Sequence, residues 1–470
     1  MLFDNRSMSE MPVHLSYDRG TVLVGGGPEG FDYSTLPGVL FDPRTSTYRA
    51  QGRHYRSIVE RLLSQKLAYT DSARGWDNAP TQWKMNAERE PRDYQIDARD
   101  TWIKTGRRGV VVLPTGTGKT FVAFLCIEKI GRPTLVVTPT IDLMNQWYSE
   151  LSKVFGIEVG LVGGGYHEFK PLTVTTYDSA FQRLEQWANR FGLLVFDECH
   201  HLPGPSYSEA AIAGLAPFRL GLTATPERAD LGEDRYPELI GPIVYRLDIN
   251  DLAGEFLADY VAQRVYVDLS PEEEELYRTS REEYRQFVND NRISLGGPNG
   301  WQKFIFEASR TPQGRAALRA HRLAKRIEQG ASGKFKELER ILERHPRERA
   351  ILFTADNATV YRIARQYLVP AITHQTKAKE RKQILERIHS GEYTVVVTSQ
   401  VLNEGVDVPA AGVGVVLSGT GSTRENVQRL GRLLRKHGDK QAVLYELVAR
   451  GTAEEFVSER RRQHRAFGNG

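Results

Sequence analysis

The chain has 470 residues, of which 40% are hydrophobic and 26% charged, and its 63 basic and 59 acidic side chains leave a formal net charge of +4 at pH 7. That length exceeds one ordinary hydrophobic core, so about two to four domains are expected, and so slight a positive charge does not by itself indicate a nucleic-acid ligand. No apolar run approaches the roughly 20 residues of a membrane span, and no signal-peptide pattern opens the chain, so the sequence predicts a cytoplasmic protein with no membrane partner. Cys126 and Cys199 lack CxxC spacing, so neither a disulfide nor a zinc site is expected.

The first part of the chain, residues 1–88, is a separate module rich in Gly, Tyr and Arg. Within it, residues 21–24 and 39–41 have the composition of strands, and residues 55–66 have the spacing of a helix. Residues 70–90 contain turn-forming Gly, Asn and Pro and few apolar side chains, as expected of a linker. We therefore predict a small N-terminal α+β domain followed by a linker.

Further along, from residue 108 to 245, short runs of Val, Ile and Leu alternate with amphipathic stretches. Such runs are typical of parallel strands buried on both faces, with helices between them. We assign a first α/β lobe to residues 89–248. Its predicted strands are 110–113, 134–138, 172–176, 193–196 and 220–223.

The alternation returns from residue 350 to 447, so a second parallel α/β lobe is assigned to residues 331–470. Between the lobes, the charged sequence at 271–287 has helical spacing and interrupts the strand pattern. Residues 249–330 are therefore predicted to form an inserted helical element. The predicted strands of the second lobe are 350–354, 394–398, 413–417 and 442–447.

One segment of the first lobe has the order of strand, glycine-rich loop and helix that binds phosphate, Leu113-Pro-Thr-Gly-Thr-Gly-Lys-Thr120. Gly116 and Gly118 let backbone amides approach phosphate oxygens, and the helix dipole points its positive end at the same anion. Lys119 is expected to reach the β- and γ-phosphates of ATP, and the Thr120 hydroxyl to ligate Mg²⁺. Leu113 replaces the glycine of the strict pattern, a departure that helicase-type loops share. The predicted nucleotide-binding residues here are Pro114, Thr115, Gly116, Thr117, Gly118, Lys119 and Thr120.

Two adjacent carboxylates follow the fourth predicted strand of this lobe, in Asp197-Glu-Cys-His-His201. Asp197 is predicted to bind the Mg²⁺ that Thr120 also contacts. Glu198 is predicted to polarise the water that attacks the γ-phosphate. Together with the phosphate loop, this pair predicts hydrolysis of a nucleoside triphosphate.

A basic segment of the second lobe, Gln428-Arg-Leu-Gly-Arg-Leu-Leu-Arg435, places Gln428, Arg432 and Arg435 on one helical face. The two arginines are predicted catalytic residues that complete the nucleotide site as an arginine finger does. A solvated basic helix is the alternative. The basic tail at 460–465 leaves the same two interpretations open, a phosphate contact or a solvated helix end.

In this order, the motifs resemble those of the superfamily 2 helicases, and within them the XPB-type DNA helicases in their short archaeal and bacterial forms, over nearly the whole chain. The resemblance implies two RecA-like lobes in tandem, ATP and Mg²⁺ as cofactors, and a thumb-like role for the inserted helices. It also implies that the segment Leu40–Ala50, written LFDPRTSTYRA, belongs to a domain associated with damage recognition.

The resemblance also assigns further site residues. Arg92 and Gln95 are implied to recognise adenine, and Asp407 and Gln428 to contact the nucleotide. Thr223-Ala-Thr225 resembles the motif that links hydrolysis to DNA movement. The implied nucleic-acid contacts are Thr138, Pro139, Thr176, Tyr177, Arg228, Asp230 and Gln400.

One departure concerns strand separation. The family carries an Arg-Glu-Asp triplet after the Thr-Ala-Thr motif, whereas this chain has Arg228-Ala229-Asp230. Loss of the central carboxylate predicts weak unwinding, with ATP hydrolysis and translocation retained.

The motifs predict an ATP-dependent motor, and the resemblance implies a DNA helicase or translocase that moves 3′ to 5′, with a role in nucleotide excision repair. It is expected to act as a monomer on single-stranded, forked or bubble DNA, with a nuclease partner. The alternatives are a translocase with weak unwinding, the motor of a nuclease or restriction complex, a DNA-binding scaffold switched by ATP, and an enzyme acting on RNA.

Overall fold

The computed structural model describes residues 11–77, 81–86, 90–227, 232–247, 260–295, 300–399, 411–418 and 442–462. The chain divides into two compact units, residues 1–113 with 118–247, and residues 248–470 with 114–117. Among the described helices, none is both long and apolar enough to cross a membrane.

A five-stranded sheet and one helix begin the first unit. The elements are β1 (Val13–Asp18), β2 (Thr21–Gly26), β3 (Leu40–Asp42), β4 (Thr47–Gln51), α1 (Tyr55–Ser64) and β5 (Tyr69–Asp71). The strand order is β3-β4-β2-β1-β5, with β5 parallel to β1 and the other pairs antiparallel. Leu15, Val22 and Val24 on one face of the sheet share a core with Ile58 and Leu62 of α1. The predicted small α+β domain is confirmed.

An eight-stranded sheet forms the rest of the first unit. Its strands are β6 (Arg108–Val112), β7 (Thr134–Thr138), β8 (Gly160–Gly163), β9 (Tyr166–Glu168), β10 (Leu172–Thr176), β11 (Leu193–Asp197), β12 (Phe218–Thr223) and β13 (Ile243–Arg246). Their order is β13-β6-β12-β11-β7-β10-β8-β9, and only the β8–β9 pair is antiparallel. The helices are α2 (Asp93–Lys104), α3 (Lys119–Ile130), α4 (Ile141–Phe155), α5 (Tyr177–Gln182), α6 (Leu184–Trp187), α7 (Ser208–Ala213) and α8 (Tyr236–Leu239). The five predicted strands are confirmed within two residues at each end.

The N-terminal domain packs directly on this α/β lobe. Arg56 Nη1 donates a hydrogen bond to the carbonyl oxygen of Gly106 at 2.6 Å. Gly52 lies so close to α7 that an added Cβ would stand 2.0 Å from the carbonyl oxygen of Ala213. Leu215 of the lobe lies in the core of the N-terminal domain. The two parts therefore share a close-packed interface.

A six-stranded parallel sheet forms the second lobe, in the order β14-β19-β18-β15-β17-β16. Its strands are β14 (Tyr260–Val267), β15 (Ala350–Phe353), β16 (Ala371–Ile372), β17 (Val395–Thr398), β18 (Val413–Val416) and β19 (Ala442–Ala449). The sequence prediction placed residues 260–267 in the inserted helical element, whereas β14 pairs with β19 along its whole length. It lies at the edge of the sheet, where Val261 and Tyr266 are exposed, and Gln263 and Arg264 interrupt its apolar residues.

In the described part of the inserted element there are three helices, α9 (Pro271–Asp290), α10 (Gly300–Arg310) and α11 (Pro312–Gly330). Tyr284, Phe287, Phe304 and Ala317 form their shared core. The helices of the second lobe are α12 (Ser332–Arg344), α13 (Asn357–Tyr367), α14 (Ala378–Ser390) and α15 (Glu454–Arg462).

A buried ion pair ties α12 to α15. The ammonium group of Lys334 donates to Oε2 of Glu454 at 2.6 Å and to the carbonyl oxygen of Leu417 at 2.7 Å. The backbone N–H of Ala449 also donates to Glu454, at 3.1 Å. These hydrogen bonds compensate the cost of removing both charges from water.

Candidate nucleotide and nucleic-acid sites

The loop between β6 and α3 has the backbone that its sequence predicts. Gly116 and Gly118 adopt φ angles of +87° and +85°, and Gly118 precedes the first turn of α3. Residues other than glycine rarely adopt such φ angles, so both glycines are needed here. The side chain of Lys119 is buried at the start of α3, whereas Thr120 is partly exposed. The positive dipole end of this helix suits an anion.

Leu113 is fully buried just after β6, and its N–H donates to the carbonyl oxygen of Thr223 at 3.0 Å. The leucine at this position therefore fills the core beneath the loop. Within the loop, the hydroxyl of Thr117 donates to the carbonyl oxygen of Pro114 at 2.7 Å.

Gln95 connects α2 to the phosphate loop. Its Oε1 accepts a hydrogen bond from the N–H of Arg92 at 3.0 Å, and its Nε2 donates to the carbonyl oxygen of Gly118 at 3.3 Å. The Gln95 side chain is buried, while Nη1 of Arg92 donates to the hydroxyl of Tyr94. These two bonds hold the Gln95 side chain against the start of the phosphate-loop helix.

The acidic pair lies at the carboxyl end of β11. Oδ1 of Asp197 accepts from the N–H of Glu198 at 3.0 Å, and Oδ2 accepts from the indole of Trp147 at 2.7 Å. Glu198 itself has a φ angle of +44°, in the left-handed region. Strain of this kind persists where the surrounding structure enforces it, and such places are often functional sites.

Burial and the adjacent Glu198 raise the pKa of Asp197 to about 6, against the opposing effects of the Trp147 hydrogen bond and of Lys119. Among the described residues, the buried Oε2 of Glu198 accepts no hydrogen bond. Two neighbouring buried carboxylates therefore gain from an added cation. This donor set fits Mg²⁺, which prefers oxygen ligands, and Asp197 and the hydroxyl of Thr120 are the residues that would hold it.

His200 connects the acidic pair to the next strand. Its Nδ1 lies 3.4 Å from Oε2 of Glu198 and 3.1 Å from Oγ1 of Thr223. The same Thr223 hydroxyl donates to the carbonyl oxygen of Thr225 and accepts from its N–H, both at 3.2 Å. The sequence prediction gave His200 no role. Only the pairing of β11 with β12 brings it to the Thr-Ala-Thr motif.

The predicted nucleic-acid residues of the first lobe fall at the carboxyl ends of β7 and β10. Pro139 is partly exposed. Thr138 is buried, and its hydroxyl donates to the carbonyl oxygen of Thr175 at 3.2 Å. Thr176 caps α5 by accepting from the N–H of Ser179 at 3.2 Å. The hydroxyl of Thr138 is thus committed to the backbone.

Tyr177 requires a correction. Its ring is buried against Phe196, and its hydroxyl donates to the carbonyl oxygen of Asp197 at 3.0 Å. The side chain supports the acidic strand and does not reach a nucleic-acid surface. Several other predicted site residues lie outside the described part of the chain, namely Arg228, Asp230, Gln400, Asp407, Gln428, Arg432 and Arg435, as does Ala229.

Three family models match the chain. Residues 15–73 match the damage recognition domain of the Xeroderma pigmentosum group B helicase, residues 88–228 match the res subunit of type III restriction enzymes, and residues 333–437 match the conserved C-terminal helicase domain. The last two matches confirm two RecA-like lobes.

The chain is 38% identical to the DNA 3′-5′ translocase XPB2 of Sulfurisphaera tokodaii, over 96% of this chain and 100% of that protein. It is 31% identical to the DNA 3′-5′ helicase XPB of Mycobacterium tuberculosis, over 79% of this chain and 63% of that longer protein. An Arabidopsis thaliana relative, named as the XPB2 helicase/translocase subunit of general transcription and DNA repair factor IIH, is 24% identical over 94% of this chain and 58% of its own length. The chain therefore belongs to the XPB family of DNA helicases and translocases.

Proposed function

We propose that this chain is an ATP-dependent motor that moves 3′ to 5′ along DNA. The observation that carries the proposal is the buried Asp197–Glu198 pair. Lys119 of the phosphate loop is close enough to lower the pKa of Asp197, which burial and Glu198 raise. The direction of movement and the DNA substrate are those named for the relatives.

In this proposal, Gly116, Gly118 and Lys119 hold the phosphates of ATP, and Gln95 contacts adenine. Bound Mg²⁺ would neutralise charge on the phosphates. The Glu198 carboxylate accepts a proton from the attacking water. Arg432 and Arg435 are proposed to stabilise charge in the transition state.

The test is steady-state ATP hydrolysis with and without single-stranded DNA, for the chain and for Glu198→Gln. Because only the base is lost, we expect Glu198→Gln to bind ATP and to hydrolyse it at least about 100-fold more slowly. Hydrolysis at the parent rate would refute the assignment. Parallel reactions with RNA show whether DNA or RNA stimulates hydrolysis. Slow hydrolysis that DNA does not stimulate would indicate a DNA-binding scaffold that uses ATP as a switch.

We further propose that the chain translocates on DNA but unwinds it weakly, because Ala229 stands where the family has a glutamate. Displacement of a triplex-forming strand reports translocation, and a forked duplex reports unwinding. Ala229→Glu is expected to increase base pairs unwound per ATP hydrolysed. Equal unwinding per ATP by parent and variant would contradict the proposal.

The restriction-type match to residues 88–228 covers the first lobe alone, whereas residues 15–73 match the XPB damage recognition domain. This second match favours a repair role, as in nucleotide excision repair, over the motor of a restriction complex. We also propose that the protein acts in the cytoplasm, as a monomer on DNA and with a nuclease partner. The proposed domains are residues 1–88, 89–248, 249–330 and 331–470, except that β14 belongs to the second lobe.

A further inference from the structure

The hydroxyl of Tyr236 lies where two functional segments of the first lobe meet. The Tyr236 side chain is buried, and its hydroxyl donates a hydrogen bond to the carbonyl oxygen of Pro226 at 3.0 Å. A second hydrogen bond joins the same hydroxyl to the side chain of Cys199. Pro226 directly follows the Thr-Ala-Thr motif, and Cys199 directly follows Glu198. One side chain therefore connects the exit of that motif to the residue next to the acidic pair.

The residue before Tyr236 makes another connection to the acidic segment. Nη1 of Arg235 donates to the carbonyl oxygen of Pro203 at 2.8 Å. Pro203 lies two residues beyond Cys199–His201, a single 3₁₀ turn that begins just after the acidic pair. The chain thus leaves the Thr-Ala-Thr motif at Pro226 and returns at Arg235 and Tyr236. Both side chains hold the returning chain against the acidic segment, and Tyr236 also holds it against Pro226.

The other end of α8 is fixed as well. Arg219 is fully buried, and its Nη1 donates to the carbonyl oxygen of Leu239, the last residue of α8, at 2.5 Å. Its Nε and Nη2 donate to two further backbone carbonyl oxygens. Beyond α8, the carbonyl oxygen of Pro242 accepts from the N–H of Val110 at 2.8 Å, in the strand that leads into the phosphate loop. Contacts at both ends of this short helix therefore set the position of the Tyr236 hydroxyl.

The hydroxyl of Tyr236 matters for geometry more than for stability. A buried hydroxyl that is hydrogen bonded contributes little net free energy to folding, because it gives up bonds to water. Phenylalanine would fill almost the same volume without the cost of burying a polar group. What phenylalanine cannot do is hold Pro226 and Cys199 at a fixed separation, since both hydrogen bonds end on the tyrosine oxygen.

We propose that Tyr236 is a positioning residue that couples hydrolysis at Glu198 to movement of the chain at the exit of the Thr-Ala-Thr motif. A displacement of Cys199 when ATP is hydrolysed is passed through the tyrosine oxygen to Pro226, because a contiguous set of hydrogen bonds joins them. Without the hydroxyl, ATP is still hydrolysed, but fewer hydrolysis events produce movement on DNA. This inference rests on the proposed function as a DNA motor and adds a residue to it.

The test compares Tyr236→Phe with the parent chain in two measurements, DNA-stimulated phosphate release and displacement of a triplex-forming strand. We expect kcat and KM for ATP within about twofold of the parent values, and displacement per ATP hydrolysed lowered about three- to tenfold, as the loss of one hydrogen bond allows. Arg235→Gln, at a partly exposed position, should lower the same ratio about twofold, since the Tyr236 hydroxyl remains.

Tyr367→Phe is the matched control, since the Tyr367 hydroxyl also donates to a backbone carbonyl oxygen, that of Phe335 in the second lobe, at 2.8 Å. It should leave the ratio at the parent value. The double variant Tyr236→Phe with Cys199→Ala tests the route. If the hydroxyl acts through Cys199, the double variant should lower the ratio no further than the more affected single variant does. Additive losses would contradict this route.

A parent ratio in Tyr236→Phe would overturn the proposal. So would an equal fall in hydrolysis and displacement, because Tyr236 would then only support the fold of the ATP site. If the parent chain itself shows no DNA-stimulated hydrolysis or no displacement, the motor function is refuted. The two failures are therefore distinguishable.

Discussion

The indole Nε1 of Trp147 donates a hydrogen bond to Oδ2 of Asp197 at 2.7 Å, and both side chains are buried. Trp147 lies on α4, between β7 and β8, and it holds Oδ2 of Asp197 while the N–H of Glu198 donates to Oδ1. A charge-assisted hydrogen bond of this kind orients a ligand that must meet a metal. Trp147 is therefore a positioning residue for the acidic pair.

Trp147→Phe is expected to raise the Mg²⁺ concentration needed for half-maximal ATP hydrolysis by about tenfold, since loss of a partner of a metal ligand typically costs about 10- to 100-fold in affinity. The measurement is a Mg²⁺ titration of the ATPase rate at fixed ATP. Trp187→Phe is the control, because that indole is equally buried and donates to the carbonyl oxygen of Ala180 at 2.9 Å. Equal Mg²⁺ requirements in the two variants would contradict the positioning role.

The pH dependence of stability follows from Asp197. Its pKa is about 6 in the folded chain against an ordinary value of 3.8, so the folded state holds this proton more tightly than the unfolded state. In metal-free protein, ionisation of Asp197 therefore lowers the free energy of unfolding as pH rises from about 4 to about 6. Mg²⁺ needs the carboxylate, so its binding strengthens as pH rises over the same range.

Thermal unfolding between about pH 4.5 and 7 checks this, with and without MgADP. The increase in Tm that MgADP causes should grow with pH through about 6. In Asp197→Asn, the increase in Tm that MgADP causes should depend less on pH. The stability of the metal-free variant should also fall less as pH rises, because the ionisation of Asp197 no longer contributes. The same pH profile in parent and variant would show that another group titrates.

Thr223→Val is expected to reduce DNA translocation per ATP hydrolysed, because the Thr223 hydroxyl joins His200 to the backbone of Thr225. Triplex displacement and phosphate release, measured together, give this ratio. Thr134→Val is the matched control, since its buried hydroxyl donates to the carbonyl oxygen of Arg132 at the opposite end of the sheet. Each variant is expected to lose about 1 kcal/mol in the free energy of unfolding. If Thr223→Val keeps the parent ratio of translocation to ATP hydrolysed, the Thr223 hydroxyl does not link hydrolysis to DNA movement.

Breaking the ion pair of the second lobe should be costly. Lys334→Met leaves Glu454 buried without its cation, and a loss of about 3–5 kcal/mol in the free energy of unfolding is expected. The double variant Lys334→Met with Glu454→Leu should recover part of that loss. Lys382→Met, at the exposed pair of Lys382 with Glu386, should change stability by less than about 1 kcal/mol. Urea denaturation monitored by circular dichroism distinguishes the three.

The sequence predicted the central strands of both lobes because those strands are buried on both faces and most of them consist largely of Val, Leu and Ile. It did not place β14 in a sheet, since Gln263 and Arg264 interrupt the apolar run of this edge strand. Local motifs predicted Lys119, Thr120, Asp197 and Glu198 as neighbours of one site. The contacts of Trp147 and His200 depend on which strands adjoin β11. Tyr177 was assigned to nucleic acid from the resemblance, and its hydrogen bond to Asp197 depends on the same strand order. Strand order does not follow from local spacing.

The close approach of Gly52 to the carbonyl oxygen of Ala213 has a mechanical consequence. Because there is no room for even a methyl group, any larger residue at position 52 would push the N-terminal domain away from α7. The seating of the five-stranded sheet on the lobe that carries Asp197 therefore depends on a single hydrogen atom in place of a side chain.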